Sequence, residues 1–296
     1  MSRRTSPSTH QPYGVTRVLR VWELPRSTFY AQRERQAAPA TARRGRPPRL
    51  DDAALLAHIR AVIAESPFHG EGHRKIWARL RTLKQVRTSM RRVLRVMREA
   101  GLLSPARPAA PVVERPHEGT IVTDQPNVMW GTDATTAVTL AEGPATIFAA
   151  IDHCTAECVG IHAAKHGDRF EALEPLRQGV RDHFGALAPN SAAGLTLRHD
   201  HGSVYLSADF QAEVTFLGMT SSPAFVRQPE GNGCIERFFR TLKEQLLWVW
   251  HFSTIEELRQ ALLAFKETYN REWLIARLGY RSPTQARQAF AVRPAA

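Results

Sequence analysis

The stretch RQPEGNGCIERFFRTLKEQ, residues 227–245, runs from a glycine- and proline-built turn straight into a helical pattern. Ile235, Phe238, Phe239, Leu242 and Leu246 recur at helical spacing and form an apolar stripe. Glu236 lies off that stripe and shares a face with Arg240 and Lys243, at i+4 and i+7. Two other carboxylates stand where chemistry can use them. Asp133 lies in a strand-like stretch, on the face opposite Val128 and Trp130. Asp200 ends a later strand between His199 and His201, and Glu236 follows it after a gap of 35 residues. Taken singly, each acid reads as a cap or a surface charge. Together they are three hard oxygen donors from separate elements, a set that suits Mg²⁺ or Mn²⁺. Two such ions about 4 Å apart activate an attacking oxygen and stabilise a leaving one on phosphate. On that reading Glu236 holds metal, while Arg240 and Lys243 meet the backbone of the nucleic acid being cut.

The elements that must position these acids are legible as patterns. NVMWGTDATTAV alternates as a strand, and ATIFAAIDHCTAECVGIHAA reads as two more strands round a turn. DRFEALEPLRQGVRDHF is an amphipathic helix, GLTLRHDHGS a short strand ending at Gly202, ADFQAEVTFLG a helix and SSPAFV a short strand. Strands first, then alternating helix and strand, describe an α/β layer fold. The front of the chain is helical instead. GVTRVLRVWELPRSTFYAQRER reads as two short helices parted before Pro25, the second starting near Ser27. Leu55, Leu56, Ile59 and Ile63 form an apolar face, SPFHGEG breaks it, and HRKIWARLR resumes it with Ile76, Trp77 and Leu80. In RTSMRRVLRVMREAGLL, Met90, Val93, Leu94 and Met97 are expected to face inward, with Arg91, Arg95 and Arg98 outward and Gly101 as the C-terminal cap. That is a helix-turn-helix with an arginine-faced last helix suited to a DNA groove.

Charge supports that division. Residues 1–110 carry 23 Lys and Arg against 7 Asp and Glu, a balance of +16, and residues 111–296 carry 17 against 21, a balance of −4. A basic front joined to a mildly acidic back points to a polyanion-binding part attached to something else. Three cysteines without a framework fit a reducing compartment. No apolar run is long enough for a membrane span, and the N-terminus lacks a signal-like core, so a cytoplasmic protein is expected.

WGTDAT, LRHDHGSVY and QPEGNGCIERFFRTLKEQ resemble the three motifs of the retroviral-integrase-like catalytic core. The likeness is strongest to bacterial insertion-sequence transposases of the Asp-Asp-Glu class made from two overlapping reading frames, of which this chain resembles the downstream-frame product. HGEGHRKIWARLR, RVLRVMREAGLLSP and YNREWLIARLGYRSPTQAR extend the resemblance from about residue 50 to 290. It implies a ribonuclease-H-like core in which Asp133, Asp200 and Glu236 are the catalytic, metal-binding triad. The implied chemistry is nicking of element ends and joining of the freed 3′-hydroxyl to target DNA. The implied partners are double-stranded DNA, further copies of the chain assembled on it, and the upstream-frame product. Two other classes stay open: a DNA-binding regulator of transposition, and a structure-selective nuclease of the same fold. The expected organisation is an N-terminal helix-turn-helix-like segment and basic linker (1–50), a helix-turn-helix DNA-binding domain (51–104), a linker (105–120), the catalytic core (121–250) and a helical tail (251–296).

Several rivals are weighed against the triad. Asp152 follows a strand and reads as a turn residue, Asp124 as a turn acid, and Asp168 as a helix start. His199 and His201 read as exposed strand-end histidines. His69 and His73 have ligand-like spacing, but residues 1–153 hold no cysteine, which argues against a zinc module. Cys154 and Cys158 read as small core residues, and Trp248, Trp250, Phe252 and Trp273 as packing groups.

Overall fold

The structure, a computed structural model, describes residues 4–37, 50–104, 121–224 and 232–291. Both proline-rich linkers and the turn around Pro229 and Gly231 lie outside the described residues. Two compact units emerge, residues 1–51 and 52–296. The first holds α1 (Val15–Val21) and α2 (Arg26–Ala37), parted before Pro25 as expected. The second joins the expected DNA-binding domain to the core and tail.

Three helices open the second unit: α3 (Asp52–Glu65), α4 (His73–Leu83) and α5 (Met90–Glu99). Their shared core is Leu55, Ile59, Val62, Ile76, Leu80, Val93, Val96 and Met97. Val62 and Val96 take the inward places expected of Ile63 and Leu94, each three residues beyond a buried neighbour, Ile59 and Val93. The α4–α5 turn is fixed by Trp77 Nε1 donating to the Thr88 carbonyl (2.9 Å) and by Ser89, whose hydroxyl caps α5 at the Arg92 amide. Gly101, at φ +67°, closes α5: the amide of Leu102 reaches back to the Met97 carbonyl and that of Gly101 to Arg98, a Schellman ending that favours glycine.

The core is a five-stranded mixed sheet of order β3-β2-β1-β4-β5. β1 (Met129–Thr139), β2 (Gly143–Asp152) and β3 (Cys158–Ala164) form an antiparallel meander, and β4 (Thr196–His199) and β5 (Thr220–Pro223) run parallel to β1. Helices cover both faces. On one side α6 (Glu174–Phe184) and α7 (Ala208–Phe216) bury Trp130, Phe148, Leu197 and Phe210. On the other, α8 (Gly233–Leu242) and α9 (Ile255–Glu272) pack Ile235, Phe238, Leu258 and Leu262 over Ile147, Ala149 and Ile151. The alternation along β2 divides its side chains between the two cores. This is the ribonuclease-H-like α/β arrangement expected from the sequence. α6 starts later than the sequence pattern suggests. Asp168 accepts the amides of Phe170 and Glu171 and opens a short 3-10 turn before Pro175 enters the first turn of the helix. After α8 the chain continues as a π-helical turn, Lys243–Leu247, and the tail ends in α10 (Pro283–Ala291).

The three-helix domain is packed onto the core. His69 and Gln245 exchange two hydrogen bonds, backbone amide to side-chain oxygen (2.8 Å) and side-chain amide to backbone carbonyl (3.0 Å). Phe68 meets Trp273 edge-on, Lys75 lies over the Trp273 ring, and Arg79 donates to the Glu272 carbonyl (3.1 Å). Trp273 is thus a packing group, and Phe252 is buried as expected, but Trp248 and Trp250 are 71% and 58% exposed. The π turn swings both indoles off the stripe that buries α8.

Candidate active site

Asp133 lies on β1 opposite Ala149, whose side chain is in the core under α8 and α9. Cross-strand partners share a face, so Asp133 points to the α8 side of the sheet. Asp200 follows directly on β4, exposed, with its carboxylate accepting the Gly202 amide (2.8 Å). A Cβ on Gly202 would stand 2.9 Å from that oxygen, so any larger residue there would displace the Asp200 carboxylate. Glu236 occupies the exposed first turn of α8, where the helix dipole favours an acid. The three therefore come from the C-terminal ends or middle of adjacent strands and from the start of the helix crossing them.

Electrostatics ties the three together. The Asp133 carboxyl is pushed up to about 6, first by burial and then by the like charges of Asp200 and Glu236. Lys243 acts in the opposite sense, so its ammonium belongs to the same field. Oxygen donors whose mutual repulsion raises one of them fit a divalent cation by chemistry. Among the described residues, no three His, Cys, Asp or Glu side chains already close to metal-ligand spacing.

One residue of this region is not evident from charge or spacing. Asn232, 6% exposed, precedes α8 and donates Nδ2–H to the Thr132 carbonyl (3.1 Å), next to Asp133. It ties the start of the Glu236 helix to the Asp133 strand. Gly131 makes room for it: a Cβ there would stand 2.6 Å from both Asn232 Oδ1 and His153 Nε2. An Asn in the N-cap position was the available signal.

The rivals fall elsewhere. Asp152 is fully buried at the end of β2, accepting the amides of Asn127 and Thr155 and the Thr155 hydroxyl. Asp124 is exposed ahead of β1. His201 is exposed, but His199 is not: it is fully buried, Nδ1 at the Asp200 carbonyl (2.7 Å) and Nε2 at the Ser221 hydroxyl (2.8 Å). The alternate face of β4 turns it onto Tyr205 and Phe210. Cys154 and Cys158 are buried, free thiols.

The basic helix differs from expectation in one respect. Arg91 and Arg98 are exposed on α5, but Arg95 is drawn into ion pairs with Asp52 (2.6 Å) and Glu99 (2.9 Å). Arg92 binds the same Asp52 carboxylate (2.7 Å), so α5 is fastened to the start of α3 through two arginines. Arg240 is exposed, with Glu244 at 3.9 Å.

Residues 49–110 match the family model of an HTH-like domain and residues 217–283 that of an integrase core domain. The chain is 28% identical over 278 residues to the transposase InsD for insertion element IS2A/D/F/H/I/K of Escherichia coli, covering 92% of this chain and 90% of that one. It is 27% identical over 285 residues to the insertion element IS2A uncharacterized 48.2 kDa protein of Escherichia coli, covering 95% of this chain but 66% of that longer one. Among solved structures, the simian T-cell lymphotropic virus intasome in complex with PP2A regulatory subunit B56 gamma matches with a TM-score of 0.49, at 17% identity over 74% of this chain and 77% of that one. The chain thus carries an HTH-like domain followed by an integrase core domain. Over most of its length it is similar to a transposase of an insertion element.

Proposed function

We propose that this chain is a DNA transposase, an enzyme of DNA recombination that nicks insertion-element ends and joins the freed 3′-hydroxyl to target DNA. The observation that carries the reading is the placement of three acids on adjoining elements, Asp133 on β1, Asp200 directly after β4 and Glu236 in the first turn of α8, with the charges of Asp200 and Glu236 helping burial to raise the Asp133 carboxyl. These three are proposed as both the catalytic and the metal-holding residues. A bound Mg²⁺ or Mn²⁺ pair supplies Lewis acidity toward the phosphate and its attacking oxygen. The protein's own residues do the rest. Asn232 and the β1–β4 pairing position the acids, Lys243 offsets their charge, and Arg240 and Lys243 hold the backbone near the scissile phosphate. Arg91 and Arg98 of α5 are proposed to meet the element ends, with Arg95 available only on release from Asp52.

The reading includes copies of the chain assembled on two DNA ends and a partnership with the upstream-frame product. No helix among the described residues is long and apolar enough to cross a membrane, which accords with action on DNA in the cytoplasm. The domain limits at 51–104, 121–250 and 251–296 are retained as functional divisions, although all three fall within one compact unit that begins at Asp52.

A supercoiled-plasmid assay carrying an element end tests the proposal. Strand transfer with Mg²⁺ that disappears in Asp200→Asn supports it. Binding without cutting indicates the regulator, and cutting without joining or end preference indicates the nuclease.

A further inference from the structure

The packing of the three-helix domain onto the core leaves a cleft of about 590 Å³ between them. One wall is the start of α4 with the loop before it; the other is the face of α8 that carries Arg237 and Arg240, continued by Glu244 of the π-helical turn. The positive charges on both walls are incompletely neutralised. Lys75 Nζ lies over Trp273 without a hydrogen-bond partner, and its nearest carboxylate, Glu71, is 3.9 Å away. The Glu71 oxygens are already taken by Arg79 (2.6 and 3.1 Å) and the Ser66 hydroxyl (2.8 Å). Arg237 is exposed and has no ion pair among the described residues. Arg240 stands 3.9 Å from Glu244. Between the walls the lining is apolar: Phe238 and Tyr269 are buried beneath it, and Trp273 is part-exposed with Lys75 over its ring.

A groove whose walls carry incompletely neutralised cations suits a nucleic-acid strand, because such grooves track the phosphates of its backbone. The cleft also approaches the acids, because Arg240 on its wall stands one helical turn from Glu236 on α8. We propose that this cleft takes one DNA strand, leading it from the acids between the HTH-like domain and the core, with Lys75, Arg237 and Arg240 on its phosphates. The inference rests on the reading of the chain as a DNA enzyme. It adds a binding site for a separated strand, distinct from the duplex-reading face of α5.

The test reads binding alone, in the cleavage-blocked Asp200→Asn protein, so it is independent of whether strand transfer is observed. Fluorescent mixed-sequence DNA, single-stranded and as the matching duplex, is titrated across a range of salt. Arg237→Glu, an exposed change that spares the fold, should weaken single-strand binding about tenfold or more. It should also flatten the salt dependence by about 0.7 for each phosphate no longer neutralised. Lys75→Met should act in the same direction, with an unchanged melting temperature for Arg237→Glu as the folding control. Arg181→Glu, on α6 across the sheet, should leave single-strand affinity unchanged. Parent-like single-strand binding by Arg237→Glu overturns the proposal, and so does an equal loss in Arg181→Glu.

Discussion

Asp133 on β1 and Asp200 directly after β4 each stand two residues beyond the last paired position of two neighbouring parallel strands, Gly131↔Arg198. Asp133 lies on the sheet face that α8 covers, opposite Ala149. The backbone pairing of two short strands therefore fixes the acids' relation, and neither side chain has to hold the other in place. Like charges held side by side destabilise the fold, a cost accepted at functional sites.

That cost is measurable. Asp133→Asn removes one of the repelling charges and the burial penalty on it. Metal-free protein carrying the change should be more stable than the parent at neutral pH, on the order of 1–3 kcal/mol. Chemical denaturation in chelator reads the difference. Strand cleavage should fall by a factor of about 10² or more. A variant that is less stable and still cuts would remove Asp133 from the site.

Asn232 should behave as a positioning residue. Asn232→Ala loses the bond to the Thr132 carbonyl, at about 1 kcal/mol of stability. Released from β1, the start of α8 should let Glu236 drift from Asp133. The turnover rate should drop while half-saturation by DNA is unchanged, and stabilisation of the fold by added Mn²⁺ should weaken in thermal melts. If DNA affinity falls instead and Mn²⁺ protection persists, Asn232 acts elsewhere.

Much of this site was legible in the sequence, for local reasons. Strand alternation around Asp133, the helical stripe that excludes Glu236 and the glycine endings at Gly101 and Gly202 are all set by neighbours within a few residues. What escaped is non-local. Arg95 is captured by Asp52 through the packing of α5 on α3, and His199 is buried because Ser221 and Phe210 lie against β4. Trp248 and Trp250 emerge because a π turn shifts the helical phase after Leu242. The seating of the HTH-like domain through Gln245 and Trp273 joins residues far apart in the chain, with no periodic signature.

The arginines of α5 should separate by role. Arg91→Ala and Arg98→Ala should weaken binding to duplex element ends and lower the salt slope by about 0.9 for each phosphate left without its arginine. Arg95→Ala should change affinity little and cost under about 1 kcal/mol, the worth of a part-exposed ion pair. Gel-shift titrations at two salt concentrations distinguish them. Equal losses of affinity in all three would mean that Asp52 yields Arg95 to DNA.

Lys75 makes stability depend on pH. Burial pushes its ammonium down to about 7 from an ordinary 10.5, with Arg79 adding to the shift and Glu71 opposing it. The charged groups around it are those two, Arg237, Arg240, Glu244 and Arg277 across the cleft, and the Trp273 ring beneath it. Between about 7 and 10.5 the unfolded chain holds a proton there that the folded chain has released. Raising pH through that window therefore favours the folded state, by at most about 1.4 kcal/mol per pH unit from this group. Below about 7 both states carry the proton and the dependence vanishes. Lys75→Met should flatten the slope relative to the parent between pH 7 and 9, measured by denaturant unfolding across that range. DNA in the cleft should act oppositely on the native state, since a phosphate near Lys75 favours its charged form. Binding of single-stranded DNA at pH 8 should then take up a proton in the parent and none in Lys75→Met, as calorimetry in buffers of different ionisation enthalpy would register. Proton uptake of equal size in both proteins would assign the titration to another group and leave Lys75 as a packing residue over Trp273.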